Sequence, residues 1–544
     1  MEIKKLENQI RELLKDKFTP EITGNFSLTT PPANINADLS SNFALSISKK
    51  VGAKPLDIAK ELCIFLKDKG FDCEAVNNGF INFHLSDKFL YNFIKEILHN
   101  NDYFKTENDR KNINLEFVSA NPTGPLHLAS GSAASLGDSL ARVFRKLGYS
   151  IKTEYYINNV GNQVELLGKS LKCRFLNQPI PEDGYHGEYL IEIAKLLPKE
   201  AKDWDNTKMS DFAINQIISM QKKDMSDFRV NFDLWFEESQ LHKDNLPKKV
   251  LEILKEKNMV YEKDGALWLG AKLADEKFED SDRVLVKSDK KNTYFLNDLA
   301  YHMNKFDRGF DYLIDIWGAD HHGYIPRMKA GIKALGYNEE NLKVIIHQLV
   351  YLIKDGKIVK MSKRAGDFVT LRELIEEVGI DACRFFFVMR SPNTHLNFDI
   401  DLAKKKTSEN PVFYVQYVHA RIFSIMENAS KIAISTEFDP QFNYKLNEDE
   451  RKLLLKTLYF EKVLIQCIKD LAVHHIPSYL VELSSLFHSF YDKHKVLTPE
   501  NKNQAQARIY ILKAVQETIK TGLDLIGVSS PSRMYKNDFW FYNF

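Results

Sequence analysis

Lys360-Met361-Ser362-Lys363-Arg364-Ala365-Gly366 sets two lysines three residues apart, with a serine between them and a glycine after. Such a loop can close on a triphosphate and neutralise charge that develops on a departing pyrophosphate. Charged loops are common, but the Lys-Met-Ser-Lys string is a specific signature. A second candidate lies far upstream, where His127 directly precedes a helical stretch rich in small residues (Gly131, Ala133, Ala134). A helix that follows a parallel strand offers unpaired N–H groups and a positive dipole end to phosphate, and His127 could donate to an α-phosphate oxygen. Taken alone, the plainer reading of this stretch is a tightly packed βα turn with a surface histidine. The Gly131…Gly137 spacing is no Walker loop, because no Gly-Lys-Ser/Thr follows.

Both candidates need a sheet edge to hold them. Ile113–Val118 reads as a strand, Ser119–Pro125 as a loop, about Ser130–Leu147 as a helix stopped by Gly148, and Tyr149–Ile157 as the next strand. That order is the βαβ unit of a parallel sheet. Residues from about 165 to 285 read as a charged helical insertion, after which Tyr312–Trp317 and Lys343–His347 resume the sheet. Thr370-Leu371-Arg372-Glu373 has the form of a capping box opening a helix. Upstream, a charged helix (Met1–Lys17), a helical stretch (Ala44–Lys69), an alternating strand (Gly79–His84) and a helix (Asp87–His99) suggest a small α+β module. From about Ala403 the pattern is helical almost to the end.

The chain of 544 residues exceeds what one hydrophobic core usually supports. The expected division is therefore an N-terminal module over 1–100, an α/β Rossmann-like parallel-sheet domain over 112–400 and an all-α domain over 401–544. A hydrophobic share of 44% and a charged share of 27% are ordinary globular values, which argue against disorder. The net charge of +1 neither announces nor excludes a nucleic-acid partner. The five cysteines are scattered without a Cys-x-x-Cys pair, which speaks against a disulfide framework and a thiolate zinc site. No signal peptide or membrane-spanning run is legible, so a cytoplasmic location is expected.

A strand–loop–His helix with a distal Lys-Met-Ser-Lys loop resembles the class I aminoacyl-tRNA synthetases. The strings Glu116-Phe117-Val118-Ser119-Ala120-Asn121-Pro122-Thr123-Gly124-Pro125-Leu126-His127, Glu154-Tyr155-Tyr156-Ile157-Asn158, Trp317–Tyr324 and Asp381-Ala382-Cys383-Arg384 are similar to the bacterial arginyl-tRNA synthetases, in the family's order, from about residue 15 to 534. The resemblance implies arginine and ATP (with Mg2+) as substrates, tRNA(Arg) as partner, and a monomer. It implies that Ser119 and Asn121 hold the α-amino group, that His127 meets carboxylate and ATP, and that Glu116, Tyr294 and Asp298 contact the guanidinium. Carboxylates and an aromatic wall do suit a planar cation. Gly318, Asp320 and His321 would line ribose and substrate, and Gln348 and Val350 would read adenine through the backbone. Lys360, Ser362 and Lys363 would serve the phosphates. In Asn410–Arg421 aromatics alternate with His and Arg; aromatics at helical spacing are more often core. The resemblance moves Tyr417, His419 and Arg421 toward the tRNA and makes the all-α domain anticodon-binding. It also implies an N-terminal module that touches the tRNA elbow.

The chain departs from the family signature His-x-Gly-His at Ala129 and Ser130, which are expected to weaken activation, and Asn159 stands where Asp is usual. A synthetase-like tRNA-binding protein with a weakened activation site is the competing reading. The aromatic tail Tyr535–Phe544 runs past the usual family end.

Overall fold

A central parallel sheet organises the chain. In the computed structural model, which describes residues 1–544 apart from 33, 107–110, 271–281, 360–369, 433 and 535–544, its five strands are all parallel. Their order is Leu342–His347, Tyr312–Gly318, Asn112–Glu116, Ser150–Ile157, Leu234–Glu237. The chain starts in the middle, builds outward on one side, then crosses to the other. The order therefore reverses between Asn112–Glu116 and Tyr312–Gly318, and in such sheets ligands bind in the crevice beyond the carboxyl ends at that reversal. The expected α/β class with an α+β module and an all-helical domain is what the molecule adopts. Lys360–Gly366 and Tyr535–Phe544 lie outside the described residues.

The first strand ends at Glu116, short of the expected Val118. The cause is local: Val118 and Ser119 have φ of 71° and 43°, and Ser119 N donates to the Phe117 carbonyl at 3.0 Å. A β-branched residue at positive φ is strained, and this tight turn throws Ser119 over the sheet edge. The following helix spans Leu128–Lys146 with His127 as its N-cap, two residues earlier than the sequence suggests. It lies so close to the sheet that a Cβ at Gly137 would stand 2.2 Å from the Phe117 ring. Gly148, at φ 90°, turns the chain into the next strand.

The stretch read as a helical insertion is only partly one. Helices Asn162–Phe175 and Asn206–Asp227 pack on each other, but Leu234–Glu237 then joins the central sheet as its edge strand. The sheet thus resumes well before Tyr312. Tyr155 stacks on Trp235 (centroids 4.2 Å, planes 23° apart), which seats this edge. Val260–Lys263, Ala266–Leu269 and Arg283–Val286 form a separate small antiparallel sheet.

In the N-terminal module, Leu39–Ser41, Ile81–His84 and Asp72–Ala75 form an antiparallel sheet. The expected Ala44–Lys69 helix is two helices, Phe43–Val51 and Pro55–Asp68. Gly52 at φ 72° ends the first and Pro55 opens the second, as their backbone preferences dictate. The module docks on the all-helical domain through polar contacts. Glu461 accepts from Glu2 N (2.6 Å) and Ile3 N (3.0 Å), capping the first helix, Glu2–Leu14. Lys462 bonds Glu7 at 2.5 Å, and Arg451 bonds both Asp87, at 3.1 Å, and Asp38. Among the described residues no helix is long and apolar enough to cross a membrane.

Candidate active site

The switch-point crevice is floored by charge. On the Tyr294–Asp307 helix, Tyr294, Asp298, Tyr301, His302 and Lys305 recur at helical spacing, so one face descends from solvent to core. Tyr294 at the top is 72% exposed, and Lys305 at the bottom is fully buried. Lys305 Nζ donates to Glu116 Oε2 at 2.6 Å and to Asp315 Oδ1 at 2.9 Å. These two carboxylates face each other across neighbouring strands. Burial alone would lower the lysine pKa, but the Asp315 and Glu116 charges override it and hold it above the ordinary value. Burial would likewise raise the Asp315 carboxyl; Lys305 and His302 outweigh it and hold it down at about 2. The His302 ring bridges the Asp298 carbonyl oxygen (2.7 Å) and Asp315 Oδ2 (2.8 Å).

Asp298, one turn from Tyr294, is half-buried and accepts from the Tyr324 hydroxyl at 2.5 Å. Burial pushes its carboxyl up to about 6, against that hydrogen bond, and the Glu238 and Glu116 charges add to the rise. Glu238, which sequence reading passed over, is buried, accepts from Asn297 Nδ2 at 2.9 Å, and is itself raised by burial. Its signal was weak: one acidic residue among several in a charged stretch. Glu116 is raised by burial too, with Lys305 opposing, and it accepts from Ser119 Oγ at 2.7 Å. The crevice thus gathers three carboxylates, Glu116, Glu238 and Asp298, beneath an exposed aromatic ring. Lys305 neutralises part of that charge. What remains suits a cation.

The loop over the crevice is held from the insertion side. Asn121 is exposed and donates to Gln163 Oε1 at 2.9 Å; Gln221 Nε2 donates to the Gly124 carbonyl at 2.9 Å, and Tyr189 to that of Thr123 at 2.5 Å. Asn159 donates to Glu237 and Ser239, each at 3.1 Å, and accepts from Ser239 N at 3.0 Å. An aspartate there could not donate to Glu237. In the Glu154 string, Glu154 is buried and serves packing, accepting from Asn114, Tyr301 and Arg308.

At the helix N-terminus, Ala129 is exposed and Ser130 is buried, with its Oγ 3.3 Å from His127 Nδ1. Ser132 Oγ lies 2.9 Å from His347 Nε2 at the end of the outer strand, and burial holds that histidine down to about 4, hence neutral. The strand-to-helix segment also pairs across: His127 bridges to Thr370, and Leu371 N donates to the Leu126 carbonyl at 2.8 Å. Thr370 opens its helix with the expected capping box. Lys360, Ser362 and Lys363 lie outside the described residues, and the flank that follows them is anchored beside the site at Thr370. Val359 N donates to the Leu352 carbonyl at 2.8 Å, and Thr370 pairs with His127.

Gly318 ends its strand, and a Cβ there would sit 2.8 Å from Asp320 Oδ1. Asp320 and His321 follow on an exposed 3-10 turn, with a 3.6 Å approach between them. Gln348 N donates to the Pro392 carbonyl at 3.1 Å, and Val350 begins the next strand, paired with Leu396. In the all-helical domain the Pro411–Lys431 helix separates its candidates. Tyr417 stacks on His488 (5.7 Å, 12°), and Arg421 donates to the Tyr491 hydroxyl at 2.8 Å. His419 is buried, with Nδ1 2.9 Å from the Pro531 carbonyl oxygen, so its ring faces the protein rather than solvent. No group of His, Cys, Asp or Glu among the described residues could hold a metal ion.

Three family models match in chain order. They are described as arginyl tRNA synthetase N terminal domain (residues 4–85), tRNA synthetases class I (R), catalytic domain (186–388), and DALR anticodon binding domain (415–534). An arginine–tRNA ligase of Elusimicrobium minutum is 50% identical over 509 residues, covering 93% of this chain and 95% of the relative. One from Bacillus subtilis is 42% identical over 529 residues, covering 94% of each. The solved Thermus thermophilus arginyl-tRNA synthetase superposes with a TM-score of 0.80 over 98% of this chain and 100% of that one; at 21% identity this likeness bears on the fold.

Proposed function

The chain belongs to the arginyl-tRNA synthetase family, a class I arginine–tRNA ligase, and on that premise we propose which of its residues carry the ligation. The observation that carries the assignment is the face of the Tyr294–Asp307 helix, where an exposed aromatic stands one turn above a carboxylate with a raised pKa. A guanidinium slides under Tyr294, stacks on its ring and is met edge-on by Asp298, in the bidentate manner that suits a planar cation. Lys305 bonds Glu116 and opposes the rise that burial imposes on its carboxyl. Ser119 and Asn121, on the strained turn, take the α-amino group.

ATP enters as its magnesium complex. The arginine carboxylate attacks the α-phosphorus, the bond to the bridging oxygen breaks, and pyrophosphate leaves with its electron pair, giving arginyl-adenylate. The terminal ribose hydroxyl of the tRNA then attacks the arginyl carbonyl; AMP leaves and the hydroxyl proton passes to solvent. Positioning and charge stabilisation suffice for such chemistry. His127, at the positive end of the Leu128–Lys146 helix, faces the α-phosphate. Ser130, bonded to its ring, orients it rather than donating to phosphate itself. Gly318, Asp320 and His321 line the ribose, Gln348 and Val350 the adenine, and Lys360, Ser362 and Lys363 the pyrophosphate. Tyr417 and Arg421 present the tRNA-facing side of their helix. The enzyme acts as a cytoplasmic monomer, divided at about residues 100 and 400.

The test is ATP–pyrophosphate exchange in the presence of tRNA, comparing the parent with Asp298→Asn and Tyr294→Ala. The expected outcome is a raised KM for arginine with the KM for ATP unchanged. An unchanged arginine KM in both variants overturns the assignment.

A further inference from the structure

The Asp381-Ala382-Cys383-Arg384 string has no place in the chemistry above, yet it builds a densely hydrogen-bonded charged cluster. Arg384, on the Ile380–Phe387 helix, is fully buried. Its guanidinium donates to Asp138 Oδ2 at 2.5 Å, to the Ile526 carbonyl at 2.8 Å and to the Phe228 carbonyl at 3.1 Å. Asp138 belongs to the Leu128–Lys146 helix that starts at His127. Ile526 and Phe228 cap the C-terminal ends of Lys502–Leu525 and Asn206–Asp227, where helix dipoles favour a cation. Gly527, at φ 69°, lies flat on the guanidinium: a Cβ there would stand 2.2 Å from Nε.

A second layer surrounds the first. Asp138 also accepts from Arg142 Nε at 2.7 Å, and Arg142 reaches the Asp524 carbonyl at 3.2 Å and the Arg229 carbonyl at 2.9 Å. Arg229 donates to Asp381 Oδ1 at 2.6 Å and to the Gly527 carbonyl at 3.0 Å. Asp381 further accepts from Ser529 N at 3.1 Å, from the Ser529 hydroxyl, and from Gln416 at 2.9 Å. Gln416 adjoins Tyr417 on the Pro411–Lys431 helix. Apolar contact lets two surfaces slide, whereas a planar, five-donor cation with fixed acceptors sets angle and distance together.

We infer that Arg384 and Asp381 are positioning residues for ligation. They lock the helix that begins at His127 to the end of the all-helical domain, so that a tRNA gripped by that domain delivers its acceptor end to His127 in register. The inference rests on the site reading above. Small misplacements suffice for a large effect, because a shift of about 1 Å can cost about a hundredfold in rate.

The test uses Asp381→Asn, Ser529→Ala and Arg384→Lys in the full chain, with kcat for arginylation referred to active sites counted by an adenylate burst, and thermal midpoints alongside. Asp381→Asn is expected to lower kcat per active site about tenfold or more, with KM for arginine and ATP within about twofold. Ser529→Ala, which removes one exposed hydroxyl that donates to Asp381, is expected to lower it about threefold, and Arg384→Lys to lower it furthest. A merely structural role would lower the thermal midpoint and the count of active sites but leave kcat per site at the parent value. That result in Asp381→Asn, or in Ser529→Ala should the former not fold, overturns the inference. Failure of the site reading would show separately, as an unchanged arginine KM in Asp298→Asn.

Discussion

Lys305 and Glu116 meet 2.6 Å apart at the floor of the crevice, a buried cation from a helix set against the last residue of the first sheet strand. Asp315 closes the triangle from the neighbouring strand at 2.9 Å. The cation is what allows two carboxylates to stand side by side in the sheet.

Replacing Lys305 with methionine strands Glu116 and Asp315 without their cation. Breaking a buried pair costs about 3–5 kcal/mol, so a marked drop in thermal midpoint is expected at neutral pH. With the lysine gone, the Asp315 carboxyl rises above its unfolded value and the Glu116 carboxyl, already above it, rises further, so stability is lost as pH rises through them. Melts at pH 5 and 7 check the sign: the deficit relative to the parent should shrink at the lower pH.

The Asp298 carboxyl, raised to about 6, binds a guanidinium only when ionised. Protons therefore compete with arginine: kcat/KM for arginine should fall about tenfold per unit once pH drops below that value, while the KM for ATP stays flat. The same shift opposes folding. Its folded pKa exceeds the unfolded one, so the ionised group destabilises the fold above pH 6, and Asp298→Asn should raise the thermal midpoint at neutral pH. A variant that loses arginine affinity while gaining stability is the pattern to measure.

Tyr294 is largely solvent-exposed, so its loss should leave the melting curve alone. A cation–π contact is worth about 0.5–2 kcal/mol. Tyr294→Ala should raise the arginine KM by roughly two- to thirtyfold, and Tyr294→Phe should leave it close to the parent value. Steady-state exchange kinetics separate the two.

Gly137 is the point where helix and sheet touch. Its replacement by alanine drives a methyl into the Phe117 ring, an overpacking that costs about 1–3 kcal/mol. Phe117 adjoins the strained Val118–Ser119 turn, so the arginine KM should rise together with the loss of stability. Calorimetry and exchange kinetics on Gly137→Ala would show whether the two move together.

Local rules were legible where local energy decides. The Asp87–His99 helix, the Thr370–Glu373 capping box and the Gly148 stop follow from caps and glycine conformations, and they stand where the residues suggest. The Leu234–Glu237 strand was not legible, because four residues between charged neighbours owe their conformation to one partner strand and to Trp235 seated on Tyr155. Lys305 escaped for a related reason. On the sequence it is one more helical lysine, and only the parallel register of Asp315 with Glu116 gives it a task. His419 illustrates the converse: the family resemblance moved it toward the tRNA, while its buried ring turns to the Pro531 carbonyl.

The Glu461 cap on the first helix carries a consequence for synthesis. The amides of Glu2 and Ile3 leave the ribosome well before their acceptor, which lies 459 and 458 residues later. At about 5–20 residues per second, the wait is on the order of a minute. Through that interval the opening helix is a nascent segment with its end groups in water, and its docking surface does not yet exist. Completion of the amino-terminal module is thus timed by translation of the carboxyl-terminal one.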